Sequence, residues 1–547
     1  MSTQERFTLD EITQNNPLFS QAKTIIETAF YANNMQEVSD VATAYRLAKD
    51  NPKTIVTDLA IQHAQQLGLP SDAKMLVDNH GAIVGRSANA RRLLGQDEES
   101  VKLLKLLCEA IYQASDRPFY RTQVVVGLDE DFMVKAHFAI PQGYEMNLLS
   151  YLLNFQSYDN TYQQRYRASK AYTESDLYIY ANPDWSHPDY PEGLALFDVK
   201  HNVAAILGLR YFGEFKKATL TLTWALAHRH GYIACHGGAK TFHFENQDEQ
   251  VLAFYGLSGS GKSTLTHAKH SDKFAITILH DDAFVIKKAD GSSVALEPAY
   301  FDKTSDYLPN SSEIKYFTTL MNVGVTLDQA GNKVLVTEDL RNGNGRTIKS
   351  RYSSSNRIDK EAAPLTAVCW IMKDDSLPPV VALRDPILAA TFGVTLATKR
   401  SNAENISLKN KDNLVIEPFA NPFRAYPLVE DYLDFKELFA KNQVQCYIVN
   451  TDSFNGLKIP KEKTLALLEQ IVTKQAQWQD FGALPQMQYL KTDDYQVAWE
   501  SKEYRKKLFK RLQTRFDWVQ QYNQQHLNNP LPNEITAKLA LLLEALQ

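Results

Sequence analysis

Gly256-Leu-Ser-Gly-Ser-Gly-Lys-Ser263 is the most informative stretch of this 547-residue sequence. Glycines at its first, fourth and sixth positions allow backbone N–H groups to turn towards phosphate oxygens, because no side chain obstructs them. Lys262 supplies a positive charge for the phosphates, and Ser263 supplies a hydroxyl for a divalent cation. The stretch follows an apolar run at residues 251–255 and opens a predicted helix over residues 263–269. This strand, loop and helix context predicts a nucleoside triphosphate site.

Further apolar runs in the same half of the chain read as buried strands at residues 274–279, 365–372 and 444–449. Short apolar runs bounded by turn residues are typical of strands that are covered on both faces. With the helical patterns between them, they predict an α/β layer. The first of these runs ends in His280-Asp281-Asp282. Carboxylates at the carboxyl end of a strand can hold a metal ion that is bound to phosphates.

Helical spacing of apolar residues dominates the rest of the sequence. It predicts mostly helical structure from residue 17 to about residue 170, a helix over residues 216–229, and helices in the last part of the chain. These patterns predict an N-terminal substrate-side domain over residues 1–234, a nucleotide- and metal-binding domain over residues 235–470, and a helical appendage over residues 471–547.

Composition excludes several classes of function. The net charge of -5 gives no general attraction to nucleic acid or to anionic membranes, so we expect small anionic ligands instead. The cysteines are far apart in the sequence, which argues against a disulfide framework or a structural zinc site and favours a reducing compartment: Cys108, Cys235, Cys369 and Cys446. The sequence shows no signal-like segment and no apolar stretch of about 18 residues, so we predict a cytoplasmic location.

Taken together, the motifs resemble those of the ATP-dependent phosphoenolpyruvate carboxykinases, which convert oxaloacetate and ATP into phosphoenolpyruvate, carbon dioxide and ADP. In family order, between about residues 80 and 465, they are Gly85-Arg-Ser87, Tyr211-Phe-Gly-Glu-Phe-Lys-Lys217 with His236, the loop at 256–265, and Val449-Asn-Thr-Asp-Ser-Phe-Asn-Gly456. Within the loop, Ser260 and Ser263 stand where threonine is usual. The resemblance implies a two-domain, carboxykinase-like α/β architecture.

The resemblance also implies a metal site for Mn2+ or Mg2+. Its ligands would be Lys217, His236, Asp282 and Ser263, and Asp281 would contact the ion through water or the nucleotide. A lysine can ligate a metal only in its neutral form, which a dry site and neighbouring positive charges favour.

Roles in binding oxaloacetate and ATP follow from the same resemblance. Arg86 would hold a carboxylate of oxaloacetate, and Arg351, preferred over Arg346, would neutralise charge on the transferring γ-phosphoryl group. The implied catalytic set also includes Tyr211, Lys217, Lys262 and Asp281. ATP or ADP would contact Gly256, Leu257, Ser258, Gly259, Ser260, Gly261, Lys262, Ser263, Thr264, Glu297, Lys458 and Thr464.

Several positions depart from the family pattern. The family's Gly-Asp-Asp-Glu-His-Gly is His280-Asp-Asp-Ala-Phe-Val285 here, and its His-Cys-Ser-Ala-Asn is His236-Gly-Gly-Ala-Lys240. The segment from Leu377 to about Pro422 matches the family's mobile lid only at its start, and Lys458 stands where an arginine near the adenine is usual. Two alternatives therefore stay open: a small-molecule or protein kinase on the same nucleotide core, and a non-catalytic nucleotide sensor. The C-terminal helices could bind a partner or a second copy of the chain.

Overall fold

The computed structural model describes residues 2–79, 81–257, 259–338, 340–341, 343–399 and 414–547. The described residues pack into two compact units. The first unit contains those of 1–230 and 294–355, and the second contains those of 231–293, 356–399 and 414–547. The first change of unit lies close to the predicted boundary at residue 234, and the C-terminal residues pack within the second unit. The division into three domains stays a prediction.

Helices occur in both units. They are α1 (Gln21–Ala29), α2 (Val41–Asp50), α3 (Glu98–Gln113), α4 (Glu145–Asn154), α5 (Asn160–Ala168), α6 (Phe212–Arg229), α7 (Lys262–His267), α8 (Pro386–Val394), α9 (Leu428–Lys441), α10 (Lys461–Val472), α11 (Lys502–Gln525) and α12 (Asn533–Glu544).

Strands alternate with these helices along the chain. They are β1 (Met35–Glu37), β2 (Ile55–Ala60), β3 (Lys74–Asp78), β4 (Arg91–Leu93), β5 (Phe119–Asp129), β6 (Phe132–Pro141), β7 (Gln156–Ser157), β8 (Leu177–Asn182), β9 (Leu194–Asp198), β10 (Val203–Leu207), β11 (Tyr232–His243), β12 (Gln250–Tyr255), β13 (Ala275–His280), β14 (Ala283–Lys287), β15 (Ser293–Ala295), β16 (Tyr300–Lys303), β17 (Phe317–Met321), β18 (Gly324–Leu327), β19 (Lys333–Val336), β20 (Arg346–Lys349), β21 (Lys360–Glu361), β22 (Ala367–Met372), β23 (Val380–Leu383), β24 (Ala397–Lys399), β25 (Leu414–Ile416), β26 (Gln445–Asn450), β27 (Ser453–Phe454), β28 (Leu457–Lys458), β29 (Trp478–Asp480) and β30 (Met487–Leu490).

The first unit contains a mixed sheet with the strand order β1-β5-β6-β8-β10-β9-β4. Helices α1 and α3 pack on this sheet through a core that includes Ile26, Phe30, Leu103 and Leu107. A second sheet, β16-β20-β17-β3-β2, brings the returning segment at 294–355 together with β2 and β3 from the N-terminal part of the chain.

The prediction of mostly helical structure between residues 17 and 170 is wrong in its middle. Residues 119–141 form the long antiparallel pair β5 and β6, in which Phe119 lies opposite Pro141. Every residue of β6 is buried. A strand that is covered on both faces has no alternation of polar and apolar residues, so its apolar run cannot be distinguished from a helix by periodicity.

Helix α6 lies in the interior of the first unit, where it contacts β8, β10 and α4. Almost all of its residues from Phe212 to Ala227 are buried. A helix that is apolar on all sides is typical of a protein core. The polar side chains at its N-terminal end are therefore held by a rigid element.

The second unit is built on a sheet that includes the strand order β14-β11-β12-β22-β26-β23-β30-β29, with β13 also paired to β11. Strands β12, β22 and β26 are mutually parallel. Strand β13 runs in the same direction as β12, because both are antiparallel to β11. The carboxyl ends of these strands therefore share one edge of the sheet, which is where ligands bind in α/β folds. The strands predicted from apolar runs at 251–255, 274–279, 365–372 and 444–449 are confirmed as β12, β13, β22 and β26.

No helix among the described residues combines the length and the apolar character needed to cross a lipid bilayer.

Candidate functional site

The glycine-rich loop joins the end of β12 to the start of α7. Gly259 and Gly261 have φ angles of 80° and 102°, in the left-handed region where glycine is favoured. The predicted helix is shorter than expected and ends at His267. Ser258 lies outside the described residues. Gly259 and Gly261 therefore have the conformational freedom that the motif requires, at the carboxyl edge of the sheet.

Two side chains converge on one carboxylate oxygen of Asp282 at this edge. Oδ1 of Asp282 lies 3.3 Å from Nζ of Lys262 and 3.0 Å from Nε2 of His236. Lys262 and His236 are buried, whereas the Asp282 side chain is 22% exposed and so is accessible to a ligand. Lys262 lies on α7, His236 lies on β11, and Asp282 lies in the turn after β13.

The tautomer of His236 suits a metal ligand. Its Nδ1 lies 2.5 Å from the carbonyl oxygen of Ala420, and a carbonyl can only accept, so Nδ1 carries a proton. The Nε2 atom therefore offers a lone pair towards Asp282 when the ring is neutral. A lone pair on nitrogen and a carboxylate oxygen 3.0 Å apart require a shared proton or a shared cation. The donor set fits a divalent cation at this position.

The backbone that supplies the Ala420 carbonyl is unusual. Phe419 and Ala420 have φ angles of 54° and 53°, although neither is glycine. Such left-handed residues are strained, and they cluster at functional sites. The Phe423 ring meets the His236 ring edge-on at 5.4 Å between centroids. Nothing in the sequence identifies this turn as a partner of His236, since the two are 184 residues apart.

The Asp281 side chain contacts α7. Its Oδ2 lies 3.3 Å from Nε2 of His267. Burial disfavours the charged carboxylate, but the hydrogen bond and positive charge of His267 outweigh it, so the pKa of Asp281 lies well below its usual range. The predicted catalytic role of Asp281 stays a prediction, and its observed contact anchors α7 to the end of β13.

Glycine at position 238 allows α7 to approach β11 closely. A Cβ atom there would lie 2.2 Å from Oγ1 of Thr266 and 3.2 Å from Cα of Asp281. The departure of residues 236–240 from the family sequence therefore has a packing reason in this chain.

The other predicted nucleotide residues of this unit lie along the same loops. Leu257 is buried, and Ser263 and Thr264 are exposed. Thr464 is buried in the first turn of α10, and Lys458 is exposed at the end of the hairpin formed by β27 and β28. Of the predicted lid, residues 400–413 lie outside the described residues.

In the first unit, hydrogen bonds fix the segment that carries Arg86. The side-chain amide of Asn322 donates to the Val84 carbonyl at 2.7 Å. The backbone N–H of Ser87 donates to Oε1 of Glu214 at 2.9 Å. Burial, followed by the positive charge of Arg86, lowers the pKa of Arg91 to about 10. Arg86 therefore lies beside Arg91 and near the N-terminal turn of α6, within an arginine-rich region that suits an anion.

Tyr211 is the residue before α6, and the second turn of this helix carries Lys216 and the predicted ligand Lys217. Burial raises the pKa of the Tyr211 phenol, and the positive charge of Arg346 partly offsets this shift. Lys216 is fully buried and pairs with Glu297 at 2.7 Å. Glu297 also accepts a hydrogen bond of 2.7 Å from Asn154. These contacts make Glu297 the counter-ion of Lys216, and its predicted contact with the nucleotide stays a prediction.

Lys217 and Arg351 are more exposed than these neighbours. Lys217 is partly exposed, and its Nζ lies 5.7 Å from the ring centroid of Trp224. Arg351 starts a short 3-10 turn, Arg351–Ser353, and is also partly exposed. Arg346, in contrast, is only 3% exposed. The assignment of Arg351, ahead of Arg346, as the arginine at the γ-phosphoryl group stays a prediction.

Sequence reasoning missed a buried network beneath α7. Nζ of Lys240 donates to the carbonyl of Leu265 at 2.6 Å and lies 2.9 Å from Nε2 of His270. Nδ1 of His270 lies 3.1 Å from a carboxylate oxygen of Glu469 on α10. The lysine thus satisfies a carbonyl at the C-terminal end of α7, which otherwise has no partner within the helix. The one sequence signal of this network is Lys240, which stands where the family has asparagine.

We expect His270 to make the protein sensitive to acid. Burial, followed by the charge of Lys240, lowers the pKa of His270 to about 4. The unfolded chain therefore binds a proton between about pH 6.5 and pH 4 that the folded chain does not, so stability falls as the pH falls through this range. Between pH 7 and pH 4.5, the free energy of unfolding should therefore fall by about 1 to 2 kcal/mol less in His270→Gln than in the parent.

Urea midpoints at the two pH values measure this difference. His526→Gln, at an exposed position of the same unit, is the matched control and should behave like the parent. An equal loss of stability in the parent and in His270→Gln would contradict the prediction.

One further cluster of metal-ligating types lies among the described residues, formed by Glu5, His137 and Asp176. Nζ of Lys135 lies 2.5 Å from Glu5 and 3.0 Å from Asp176. The Lys135 ammonium contacts both carboxylates and so takes the position that a cation would need, and we assign no metal to this cluster.

Comparison with known proteins agrees with the motifs. Residues 59–493 match the ATP-type family model described as phosphoenolpyruvate carboxykinase. A phosphoenolpyruvate carboxykinase (ATP) of Aeropyrum pernix is 24% identical over 304 residues, which are 53% of this chain and 60% of that protein. One from Chelativorans sp. is 24% identical over 51% of this chain and 52% of its own. A glycosomal one from Trypanosoma brucei brucei is 25% identical over 41% and 46%.

The chain thus spans roughly half the length of the curated relatives that it matches. The family match, in contrast, extends over most of the chain and includes both the glycine-rich loop and the Arg86 segment. The chain belongs to the ATP-dependent phosphoenolpyruvate carboxykinase family.

Proposed function

We propose that the protein converts oxaloacetate and ATP into phosphoenolpyruvate, carbon dioxide and ADP. The observation that carries this proposal is the convergence of Lys262 and His236 on Asp282 at the nucleotide edge of the sheet. A phosphate-binding loop needs a lysine and an acidic residue, but it does not need a histidine whose Nε2 faces that acid. A histidine and a carboxylate at this position suit an enzyme that must stabilise an additional negative oxygen atom.

The proposed reaction has two steps. In the first, the bond between the carboxylate carbon and its neighbour in oxaloacetate breaks, carbon dioxide leaves, and the electron pair remains as the enolate of pyruvate. In the second, the enolate oxygen attacks the γ-phosphorus of ATP and the bond to the β-phosphate oxygen breaks. Negative charge on oxygen atoms therefore develops in both steps, and stabilising it is the main task of the protein.

Residues of this chain would stabilise that charge at separate positions. Arg86 would hold a carboxylate of oxaloacetate through two parallel hydrogen bonds. Lys262 would exchange its contact with Asp282 for the β- and γ-phosphates of ATP. His236, Asp282, Ser263 and, as the resemblance implies, Lys217 would hold Mn2+ or Mg2+. The ion would supply positive charge to the phosphates and the reacting oxygen.

We propose Arg346 ahead of Arg351 as the arginine that neutralises the phosphoryl group. Arg346 is buried beside Tyr211, and its Nη1 donates to the Gly345 carbonyl at 2.9 Å. Its Nη2 has no hydrogen-bond partner among the residues that the structure describes. A buried guanidinium with unused hydrogen-bonding capacity is costly unless an anion completes it.

Metal binding provides one test. We expect His236→Asn to weaken Mn2+ binding at least tenfold, because it removes the nitrogen ligand and leaves the surrounding residues in place. Paramagnetic resonance of Mn2+ in the absence of nucleotide measures the affinity. Glu5→Gln is the control, because Glu5 pairs with Lys135 in the cluster to which we assign no metal. This variant should bind Mn2+ like the parent. Equal binding by the parent and His236→Asn would remove His236 from the site.

A direct assay tests the function as a whole. The protein is incubated with oxaloacetate, ATP and Mn2+, and phosphoenolpyruvate, carbon dioxide and ADP are measured in equal amounts. Binding of ATP without any of these products would favour the nucleotide sensor. Consumption of ATP with phosphorylation of another acceptor would favour the kinase.

The remaining features of the proposal concern architecture and surroundings. The second unit would be the P-loop mononucleotide-binding domain, with helices α11 and α12 as a C-terminal helical appendage that packs within the same unit and lies beyond the family match, which ends at residue 493. A cytoplasmic location and self-association through these helices belong to the same proposal. Size-exclusion chromatography with light scattering tests the self-association.

A further inference from the structure

Helix α11 is integrated into the second unit, although it lies beyond the residues that match the family model. Its buried side chains are Tyr504, Leu508, Leu512, Arg515 and Val519, which recur every three or four residues and so form one face. Buried arginine is rare and needs partners. The presence of Arg515 on this face shows that α11 covers polar groups as well as apolar ones.

Those polar groups belong to the loop at residues 373–376, which follows β22. Nζ of Lys507 lies 2.8 Å from Oδ2 of Asp375 and 3.3 Å from its carbonyl oxygen. Nε of Arg511 lies 3.4 Å from Oδ1 of Asp374, and that side chain is only 1% exposed. The Tyr504 hydroxyl donates to the Ser376 carbonyl at 3.0 Å. Three successive turns of α11 therefore hold one short loop.

Arg515 extends the contact to the end of β22. Its Nη2 lies 3.4 Å from Sδ of Met372 and 3.8 Å from Oδ2 of Asp374, and its Nη1 donates to the Thr395 carbonyl. The carboxylate of Asp374 also accepts hydrogen bonds from the backbone and hydroxyl of Ser376, at 3.1 and 2.7 Å. The loop is thus fixed on one side by α11 and by its own hydrogen bonds.

On its other side the loop, together with the adjoining Met372 and Leu377, contacts the last residue of β26 and the residues that follow it. The side-chain amide of Asn450 donates to the Asp374 and Leu377 carbonyls at 2.8 and 2.7 Å. The backbone N–H of Thr451 donates to the Met372 carbonyl at 3.1 Å, and that of Asn455 donates to the Asp375 carbonyl at 2.9 Å. Every one of these partners is a backbone oxygen, so the position of the loop determines the position of residues 450–455.

Thr451 reaches the glycine-rich loop itself. Its hydroxyl donates to the Ser260 carbonyl at 2.7 Å. A Cβ atom added to Gly261 would lie 3.6 Å from Cγ2 of Thr451, so the two segments lie close together. Because β12, β22 and β26 are parallel, the segments that follow them lie side by side at one edge. A continuous chain of hydrogen bonds and ion pairs thus runs from α11 to the loop at 256–263.

We propose that α11 is a positioning element for the nucleotide site and that Lys507 and Arg511 hold the glycine-rich loop in its binding conformation through the loop at 373–376. This inference rests on the proposed binding of ATP at residues 256–263. It assigns to the C-terminal helices a function within their own chain. Lys507 and Arg511 are positioning residues, since neither contacts the glycine-rich loop directly.

The test uses the double variant Lys507→Met/Arg511→Met in the full chain. These side chains are 33% and 39% exposed, so their removal should leave the fold intact. The matched control is Lys506→Met/Lys510→Met, which makes the same change of charge at exposed positions of the same helix. Lys507→Arg/Arg511→Lys keeps both charges and serves as the conservative variant.

Two measurements separate positioning from general destabilisation. Calorimetric titration with Mg-ATP should give a dissociation constant about tenfold higher for the methionine double variant, with the control and the conservative variant close to the parent. Hydrogen exchange in the absence of nucleotide should show faster exchange in peptides covering residues 447–455 and 250–262 of the double variant. Peptides from β5 and β6 in the first unit should not change.

Unchanged affinity with unchanged exchange in both peptides would overturn the inference, and so would equal effects in the control variant. Failure of the parent to bind Mg-ATP would refute the proposed function. The exchange measurement would then still decide the coupling, because faster exchange at 250–262 in the double variant alone supports it and no difference overturns it.

Discussion

Lys262→Met is expected to weaken the binding of Mg-ATP about a hundredfold. Hydrogen bonds to a charged partner contribute about 1.5 to 3 kcal/mol each, and Lys262 would make them to the phosphates. Calorimetric titration of the parent and the variant with Mg-ATP measures the difference.

Lys269→Met is the matched control for this experiment. Lys269 is exposed two residues after the end of α7, so its replacement makes the same change of charge close to the site without touching the loop. We expect the control to bind Mg-ATP like the parent. Equal affinities of the parent and Lys262→Met would show that the phosphates bind elsewhere.

Local sequence patterns were sufficient to predict the core of the second unit. Apolar runs identified β12, β13, β22 and β26, and the glycines identified the turn between β12 and α7. Each of these signals is contained within about ten residues. The carboxyl ends of parallel strands meet at one edge, so the meeting of the loop with Asp282 followed from topology.

The first unit was harder to predict, because its elements have uniform apolar character. Strands β5 and β6 are buried almost throughout and lack the alternation that distinguishes a half-buried strand. The return of residues 294–355 to this unit has no local signal either. It is visible only in pairings such as Thr319 with Leu76, which join positions far apart in the chain.

The same limit applies to the candidate site. Resemblance identified His236, but not the Ala420 carbonyl that orients it from 184 residues away. Resemblance likewise does not contain the burial of Arg346 beside Tyr211, and the choice between Arg351 and Arg346 stays a prediction. In both cases the missing information is a long-range contact, which neither periodicity nor spacing contains.

Arg86→Gln is the variant that distinguishes the carboxykinase from both alternatives, because a kinase or a nucleotide sensor has no oxaloacetate to hold. The segment that carries Arg86 is held by Asn322 on one side and by Glu214 on the other, so the substitution should leave the backbone in place. Glutamine cannot offer two parallel cationic hydrogen bonds. We expect kcat/KM for oxaloacetate to fall about a hundredfold or more, as when one charge-stabilising donor is removed.

Binding of ATP and Mn2+ by Arg86→Gln should equal that of the parent, because the phosphate loop and His236 belong to the second unit. Arg92→Gln is the matched control: Arg92 follows Arg86 in the same segment, and its Nη1 donates to the Asn89 carbonyl at 2.6 Å. A parent that forms phosphoenolpyruvate with no loss in Arg86→Gln would remove Arg86 from the site. A parent that binds ATP but forms no phosphoenolpyruvate would remove the carboxykinase activity itself.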